Sequence, residues 1–382
     1  MLRNRFREEE EEEEGKTSIL GEREYQGYIY SIFCIADTIR ERERTEWDKA
    51  VTAKRRKISK MTGQEEHHVV CLQDAFCPVP TFDFPHKYTR YLLTGPSLIG
   101  ERLQDATIGI TTIVPITAAD LDRCPKLQAV IVWATGYGWV EKAEFQKRGI
   151  VVMNTPQTNV ESVSEHTIAL YFAARRKVVE LHAAAMYTNE WVENGGMLAR
   201  FKRGPPRSAS METMVIFGYG SLGKRIEGLA KALGMKVLIA DRKGVKEPRA
   251  GRIAFEEGLE VATVVVVVVP REKDTIDMID EKELRTMNED AILINVARGG
   301  IINEKALVVA LKEGWIAGAA TDVLEQEPSA PGQSPLLDDK IPNLTVSPHV
   351  AWYSEQTILN LQEMLKKTVE SFVKGEPINV VA

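Results

Sequence analysis

The sequence has little of what secreted, membrane-spanning and nucleic-acid-binding proteins need. Its 382 residues include four cysteines, none in a Cys-x-x-Cys pair, so neither a disulfide framework nor a cysteine metal site is indicated. No apolar run approaches the roughly 18 residues of a transmembrane helix. The net charge of -6 lacks the basic excess typical of nucleic-acid binding. We therefore predict a cytoplasmic protein with no metal and no nucleic-acid or membrane partner.

Charge is concentrated at the start of the chain. Of residues 1–66, 30 are charged, including the seven consecutive glutamates Glu8 to Glu14. Like charges repel one another and bury nothing, so we expect residues 1–66 to form a disordered extension. The basic run from Lys54 to Lys57 has the composition of a nuclear localisation signal, but a solvated charged surface is the favoured interpretation.

After the extension, short β-branched runs alternate with amphipathic segments, as in a parallel α/β sheet. The first predicted strands are Val69–Leu72, Thr107–Val114, Ala129–Trp133 and Ile150–Met153. A long helix is expected from Ser162, with Ser162 and Glu165 forming a capping box. Six further strands are then predicted at Met214–Phe217, Lys236–Ala240, Val264–Val269, Ala291–Val296, Ala317–Asp322 and Leu344–Ser347. This second series predicts a doubly wound domain of the kind that binds dinucleotides.

A glycine-rich loop follows the first strand of that second series and opens a helix. In Gly-x-Gly-x-x-Gly loops the glycines allow a tight turn, close approach to a pyrophosphate, and close packing of helix and strand. Asp241 ends the next strand, where a carboxylate accepts ribose hydroxyls and repels a 2′-phosphate. We therefore predict NAD rather than NADP, although the adjacent Arg242 and Lys243 could tolerate the phosphate. The expected cofactor contacts are Gly218, Tyr219, Gly220, Ser221, Leu222, Gly223, Asp241, Arg242, Pro270 and Ala297.

Three chemically suited residues follow the last three predicted strands. Ligands of an open α/β sheet bind at the carboxyl ends of its strands. Arg298 offers a planar guanidinium for a carboxylate and a polarised carbonyl. His349 can donate a proton near neutral pH, and Glu327 can orient its imidazole. Each residue alone also allows a structural interpretation, but together they predict hydride transfer to a 2-oxo acid, with Arg298, Glu327 and His349 as the catalytic residues.

These motifs resemble the D-isomer-specific 2-hydroxyacid dehydrogenases over about Val69 to Ala382. The resemblance rests on the glycine loop, Asn295 to Gly299, Glu327-Pro328 and Ser347-Pro348-His349, with the segments around Asn154 and Ser162 in support. It is most similar to the branch of glycerate dehydrogenases and hydroxypyruvate or glyoxylate reductases. It implies that Arg298 binds substrate and that His349 is the acid/base supported by Glu327. It also implies that amides of Gly136, Tyr137 and Gly138 hold the substrate carboxylate.

The resemblance further implies the architecture. A flavodoxin-like substrate domain would comprise residues 67–157 and the returning segment 349–382, with a Rossmann-type NAD domain over 158–348. The active site would lie in the cleft between the two domains. Family members are usually homodimers that associate through the nucleotide domain, so we expect a homodimer acting on a small 2-oxo or 2-hydroxy acid.

Departures from the family pattern leave alternatives open. Trp139 stands where Asp or Asn is usual, and Glu141 replaces an Asp, which puts the substrate identity in doubt. A formate dehydrogenase would share the fold but pairs its histidine with glutamine rather than an acid. A corepressor-like module sensing NADH on the same fold could keep all three catalytic residues. An inactive relative is the third alternative, given the unusual first 66 residues.

Overall fold

A computed structural model describes residues 66–338 and 340–382. All but the last residue of the predicted extension, 1–66, therefore lies outside the described residues. The chain divides into two compact units. The first unit runs to Trp133 and includes Trp139–Asn154 and Lys366–Ala382, whereas the second comprises Ala134–Gly138 and Thr155–Leu365. The domain limits derived from the resemblance stay predictions.

The first unit contains a parallel sheet of five strands in the order β2-β1-β3-β4-β5, the flavodoxin-like order. The C-terminus closes against this sheet, because the Val152 N–H donates to the Ala382 carbonyl over 2.8 Å. Strand β2 was not predicted, since its exposed edge position leaves no apolar run. The strands are β1 His67–Cys71, β2 His86–Arg90, β3 Ile108–Thr111, β4 Ala129–Val132 and β5 Val151–Asn154. The helices before β5 are α1 Ile99–Leu103, α2 Ala118–Asp122 and α3 Lys142–Lys147.

The second unit contains a parallel sheet of six strands in the order β11-β10-β9-β8-β6-β7. A single bridge between Ala240 and Ile253 adds a one-residue strand beside β7, which completes the doubly wound order of a Rossmann domain. The six strands are β6 Thr213–Phe217, β7 Lys236–Ala240, β8 Val264–Val267, β9 Ile292–Asn295, β10 Gly318–Thr321 and β11 Leu344–Val346. All six correspond to predicted strands, and the predicted α/β fold class is confirmed.

Alternation along the strands gives this second sheet its core. Val215 and Val265 face one apolar cluster, whereas Ile216 and Val266 face a second cluster on the opposite side. Both faces are therefore covered, as the unbroken valine run predicted. The helices from Val160 onward are α4 Val160–Arg175, α5 Val178–Tyr187, α6 Glu190–Asn194, α7 Ser221–Ala232, α8 Phe255–Val261, α9 Glu281–Thr286, α10 Glu304–Glu313 and α11 Glu355–Val373.

Helix α4 corrects one sequence interpretation. It begins at Val160, with Asn159 at its N-cap and no side-chain cap, so the predicted capping box of Ser162 and Glu165 is wrong. The Ser162 hydroxyl is instead buried and lies 2.6 Å from the Thr357 hydroxyl. Among the described helices, none has the length and apolar content needed to cross a bilayer.

Candidate active site

The glycine loop joins β6 to α7 at the carboxyl edge of the six-stranded sheet. Gly218 has φ +107°, and a Cβ there would lie 2.6 Å from the Val268 carbonyl oxygen, so both conformation and space require glycine. A Cβ at Gly223 would lie 2.4 Å from the Gly218 carbonyl. Gly220, by contrast, faces open space and caps α7 without any side chain.

The open face of this loop fits a pyrophosphate. The first-turn N–H groups of α7 have no intrahelical acceptor, and the helix dipole adds a partial positive charge there. Ser221 is exposed and Leu222 is partly buried against the core. The Tyr219 hydroxyl donates to the carboxylate of Glu227 on α7, which holds the Tyr219 side chain against that helix.

Asp241 follows β7 directly, as predicted, but its carboxylate already has strong partners. The Arg249 guanidinium donates to both carboxylate oxygens, and the backbone N–H groups of Arg242 and Arg249 each add a hydrogen bond of 2.8 Å. These contacts with Arg249 hold the pKa of Asp241 well below its usual range. Sequence reasoning missed Arg249, because nothing in a polar loop eight residues later signals this pairing.

Arg298 lies in a turn that Asn295 organises from the end of β9. The Asn295 amide donates to the Arg298 carbonyl over 2.9 Å and accepts from the Ala297 N–H over 3.0 Å. The Arg298 guanidinium lies against Gly136, where a Cβ would be 2.0 Å from Nη2. Gly138 in the same loop has open space around it. The structure thus brings Arg298 together with the loop that was expected to hold the substrate.

Local electrostatics leave Arg298 charged. Burial of the guanidinium lowers the pKa of Arg298 from its ordinary value, while the charge of Glu327 acts in the opposite direction. The pKa of an unperturbed guanidinium lies far above neutral, so Arg298 stays protonated near neutral pH. Arg298 can therefore act as a fixed cation beside the Glu327 carboxylate.

Glu327 and His349 form a close side-chain pair. His349 Nδ1 lies 2.5 Å from Glu327 Oε2, and the Leu324 N–H donates to the other oxygen over 2.7 Å. The segment carrying Glu327 passes directly over Gly299, where a Cβ would meet the Leu324 carbonyl at 1.8 Å. Side chains of His349 and Glu327 stay 40% and 31% exposed, so both can reach a ligand.

Asp322, at the end of β10, fixes the loop that carries His349. It is buried, and its carboxylate accepts from the Ser347 hydroxyl at 2.6 Å and from the N–H groups of Val350 and Ala351 at 3.0 Å. Its backbone carbonyl accepts from the His349 N–H over 2.8 Å. His349 itself has φ +54°, a strained region for a residue with a side chain. Sequence reasoning quoted Asp322 without giving it a role, although its place directly after a strand was a usable signal.

The remaining expected cofactor residues lie at neighbouring strand ends. Pro270 is exposed and follows β8, and its carbonyl accepts from the Thr275 hydroxyl over 2.7 Å. Ala297 is nearly buried after β9, and Arg242 is exposed after β7. All of these residues lie at the carboxyl edge of one parallel sheet, which is where ligands of such sheets bind. Trp139, which departs from the family pattern, has a buried indole N–H without a hydrogen-bond acceptor among the described residues.

Comparison with known proteins assigns the class. Residues 168–351 match the NAD-binding domain of the D-isomer specific 2-hydroxyacid dehydrogenases. The chain is 41% identical to a glycerate dehydrogenase of Methylorubrum extorquens over 304 residues, which cover 79% of this chain and 94% of the relative. It is 37% identical to a glyoxylate reductase of Korarchaeum cryptofilum, covering 74% of this chain and 85% of the relative.

A solved structure agrees with these relatives. The NADPH-dependent glyoxylate/hydroxypyruvate reductase of Sinorhizobium meliloti, solved with NADP and malonate, superposes with a TM-score of 0.67 at 25% identity. The match covers 83% of this chain and 97% of that one. The chain belongs to the D-isomer-specific 2-hydroxyacid dehydrogenase family: it is an oxidoreductase that carries the family's NAD-binding domain.

Proposed function

We propose that the protein transfers hydride between NADH and a small 2-oxo acid of the hydroxypyruvate or glyoxylate type, with D-glycerate as the product from hydroxypyruvate. The observation that carries this proposal is the pairing of His349 with Glu327 over 2.5 Å, beside the guanidinium of Arg298. The names of the glycerate dehydrogenase and glyoxylate reductase relatives support the choice of substrate class.

His349 acts as the proton donor in reduction. Its Nδ1 is held by Glu327, so Nε2 is the nitrogen that faces substrate and gives its proton to the developing alkoxide. When bound, NADH would provide the hydride that adds to the carbonyl carbon. Glu327 holds the ring at Nδ1 and so fixes its orientation for the transfer. In the oxidative direction, neutral His349 accepts the hydroxyl proton.

Arg298 and the Gly136 loop hold the substrate. The planar guanidinium can donate two parallel hydrogen bonds, to a carboxylate oxygen and to the reacting carbonyl oxygen. Backbone N–H groups of Tyr137 and Gly138 complete the carboxylate site, in keeping with the open space next to Gly138. Because Arg298 lies against Gly136, its guanidinium and the loop amides would contact the same end of the substrate.

The residues that would hold the cofactor lie along the carboxyl edge of the six-stranded sheet. Gly218 to Gly223 and the α7 N-terminus would hold its pyrophosphate, and the adenosine ribose would face Asp241. NADH is the proposed first cofactor, in keeping with the family's NAD-binding domain. The turns at Pro270 and Ala297 line the remainder of the cofactor.

A panel of 2-oxo acids assayed with NADH and NADPH in parallel tests the proposal. We expect hydroxypyruvate and glyoxylate to be reduced with NADH at higher kcat/KM than bulkier acids. The same panel tests the corepressor-like alternative, in which NADH would bind without turnover of any acid. A protein that binds NADH but reduces no member of the panel would contradict the proposal.

We also infer that the protein is a homodimer. Helices α5 and α6, which follow the long helix α4, leave an apolar surface exposed on the second unit. This surface comprises Val178, Val179, Met186, Tyr187, Trp191 and Val192. Exposed apolar patches of this kind mark association surfaces. Sedimentation should give a dimer, and Val192→Glu together with Trp191→Glu should shift it to monomer. Cys71 and Cys124 are buried and form no disulfide among the described residues, which supports a reducing compartment such as the cytoplasm.

A further inference from the structure

The carboxylate expected to bind the cofactor ribose has no unused hydrogen-bonding capacity. Asp241 Oδ1 accepts from the Arg242 N–H and from Arg249 Nη2, at 2.8 and 2.5 Å. Asp241 Oδ2 accepts from the Arg249 N–H at 2.8 Å and from Arg249 Nε at 3.0 Å. A carboxylate has about four acceptor positions, and four donors already fill them. The Asp241 side chain is 1% exposed, whereas Arg249 is 55% exposed.

This pairing changes what the site presents to a dinucleotide. A lone carboxylate repels a 2′-phosphate by its charge. Here the guanidinium of Arg249 cancels that charge within a two-point ion pair, and Arg249 is the exposed member of the pair. A 2′-phosphate arriving at Asp241 therefore meets a neutral pair with its cation outward.

The rest of the loop adds positive charge. Residues 242–252 contain the five cations Arg242, Lys243, Lys246, Arg249 and Arg252, against the single acid Glu247. Lys243 is engaged with Glu283 at 2.9 Å. Arg242 and Lys246 are exposed. With Arg249 paired to Asp241 and Lys243 paired to Glu283, the loop keeps a surplus of two positive charges, which favours an additional phosphate rather than excluding it.

We propose that Arg249 sets cofactor selectivity by neutralising Asp241, so that the enzyme accepts NADPH as a second cofactor beside NADH. The proposal rests on the nucleotide site described under the proposed function, and it assigns to Arg249 a role that Asp241 alone would not predict. Arg249 is a specificity-determining residue, and it needs no contact with the reacting atoms. Removing Arg249 leaves Asp241 as an uncompensated carboxylate that excludes the 2′-phosphate.

Two adenosine fragments that differ by that one phosphate test the proposal by calorimetry. Full-length wild type should bind both 2′,5′-ADP and 5′-AMP. In Arg249→Ala, binding of 2′,5′-ADP should weaken at least about 10-fold, the scale of one lost charge-assisted interaction, whereas 5′-AMP should change less than about threefold. The NADPH/NADH ratio of kcat/KM for hydroxypyruvate should fall by the same factor. An unchanged fragment ratio in Arg249→Ala would overturn the proposal.

Two further variants separate neutralisation from other effects. Lys246→Ala removes one exposed cation from the same loop, and we expect it to change the fragment ratio less than about threefold, since its charge is screened by solvent. The double variant Asp241→Ser/Arg249→Ala should recover most of the 2′,5′-ADP affinity, because no carboxylate is left to neutralise. A double variant as weak as Arg249→Ala would instead make Arg249 a direct phosphate ligand and overturn the proposal, as would an equal loss in Lys246→Ala.

Failure of the proposed function and failure of the inference about Arg249 can be told apart. Fragment binding involves no 2-oxo acid, so a protein that discriminates the fragments as expected but reduces no acid contradicts the proposed function alone. A protein that reduces hydroxypyruvate with an unchanged fragment ratio in Arg249→Ala contradicts this inference alone.

Discussion

Asp241 and Glu327 are two carboxylates at the carboxyl edge of one sheet, and each holds a basic partner in a different way. Asp241 is buried and accepts from two backbone N–H groups and a guanidinium, so its charge is fixed and its lone pairs are occupied. Glu327 is 31% exposed and divides its oxygens between the Leu324 N–H and His349. The Asp241–Arg249 pair therefore has a fixed charge. The Glu327–His349 pair, by contrast, can take part in proton transfer through the imidazole.

Removing His349, the basic partner of Glu327, should have the largest effect. His349→Ala should lower kcat for hydroxypyruvate reduction by about 100-fold or more, the usual scale for a lost general acid. NADH affinity, measured by fluorescence titration, should stay within twofold. His182→Ala on α5 serves as the matched control and should keep kcat within twofold. Normal turnover in His349→Ala would contradict the role given to the Glu327 pair.

Changing the cation beside Glu327 should have the next largest effect. Arg298→Lys keeps the charge but loses the planar two-point geometry, and we expect a loss of about 10-fold to 100-fold in kcat/KM. The loss should appear in both KM and kcat, because the same group holds substrate and transition state. Steady-state kinetics with hydroxypyruvate provide the measurement, and near-wild-type values would move the substrate anchor away from Arg298.

The glycine beside that cation offers a milder test. Gly136→Ala places a Cβ where Nη2 of Arg298 now lies, 2.0 Å away, so the guanidinium must move. We expect a rise of about 10-fold in KM, a fraction of the Arg298→Lys loss. Gly138→Ala, at a position with open space, should have a smaller effect on KM. Equal effects of the two substitutions would show that backbone conformation, rather than Arg298 position, controls binding.

The saturated pair should give the smallest change. Asp241→Ser frees Arg249 from its ion pair, so kcat/KM with NADPH should rise several-fold relative to NADH, the scale of a partly solvent-screened charge. Parallel assays with both cofactors measure the ratio. A ratio that moves toward NADH would contradict the neutralisation of Arg249 by the Asp241 carboxylate.

Periodicity and local motifs were sufficient to predict the strands and the glycine loop. All six strands of the second sheet were predicted, because a buried strand leaves a continuous apolar run such as Val264 to Val267. Strand β2 was missed, since the mixed sequence His86 to Arg90 pairs at an edge and needs no such run. The start of α4 was misplaced, because tertiary contacts with Thr357, rather than local capping, engage Ser162.

The site likewise contains residues that the sequence predicted and residues that it did not. Arg298, Glu327 and His349 lie three to six residues after strand ends, so the rule for parallel sheets predicted their convergence. The contact between Glu327 and His349 agrees with this prediction. Arg249 could not be predicted, because its contact with Asp241 depends on how the loop after β7 folds back. The place of Asp322 directly after β10 was a usable signal, but its contacts with the His349 loop were not predicted.

The rates of both reaction directions in wild type and Glu327→Gln test the central claim most directly. The same His349 donates a proton in hydroxypyruvate reduction and accepts one in D-glycerate oxidation, and Glu327 orients its ring through Nδ1 in both directions. Glu327→Gln keeps a hydrogen-bond acceptor but removes the charge beside the ring, so kcat should fall in both directions, with a loss well below that of His349→Ala. An unchanged kcat in both directions in Glu327→Gln would contradict the pairing of Glu327 with His349 in catalysis.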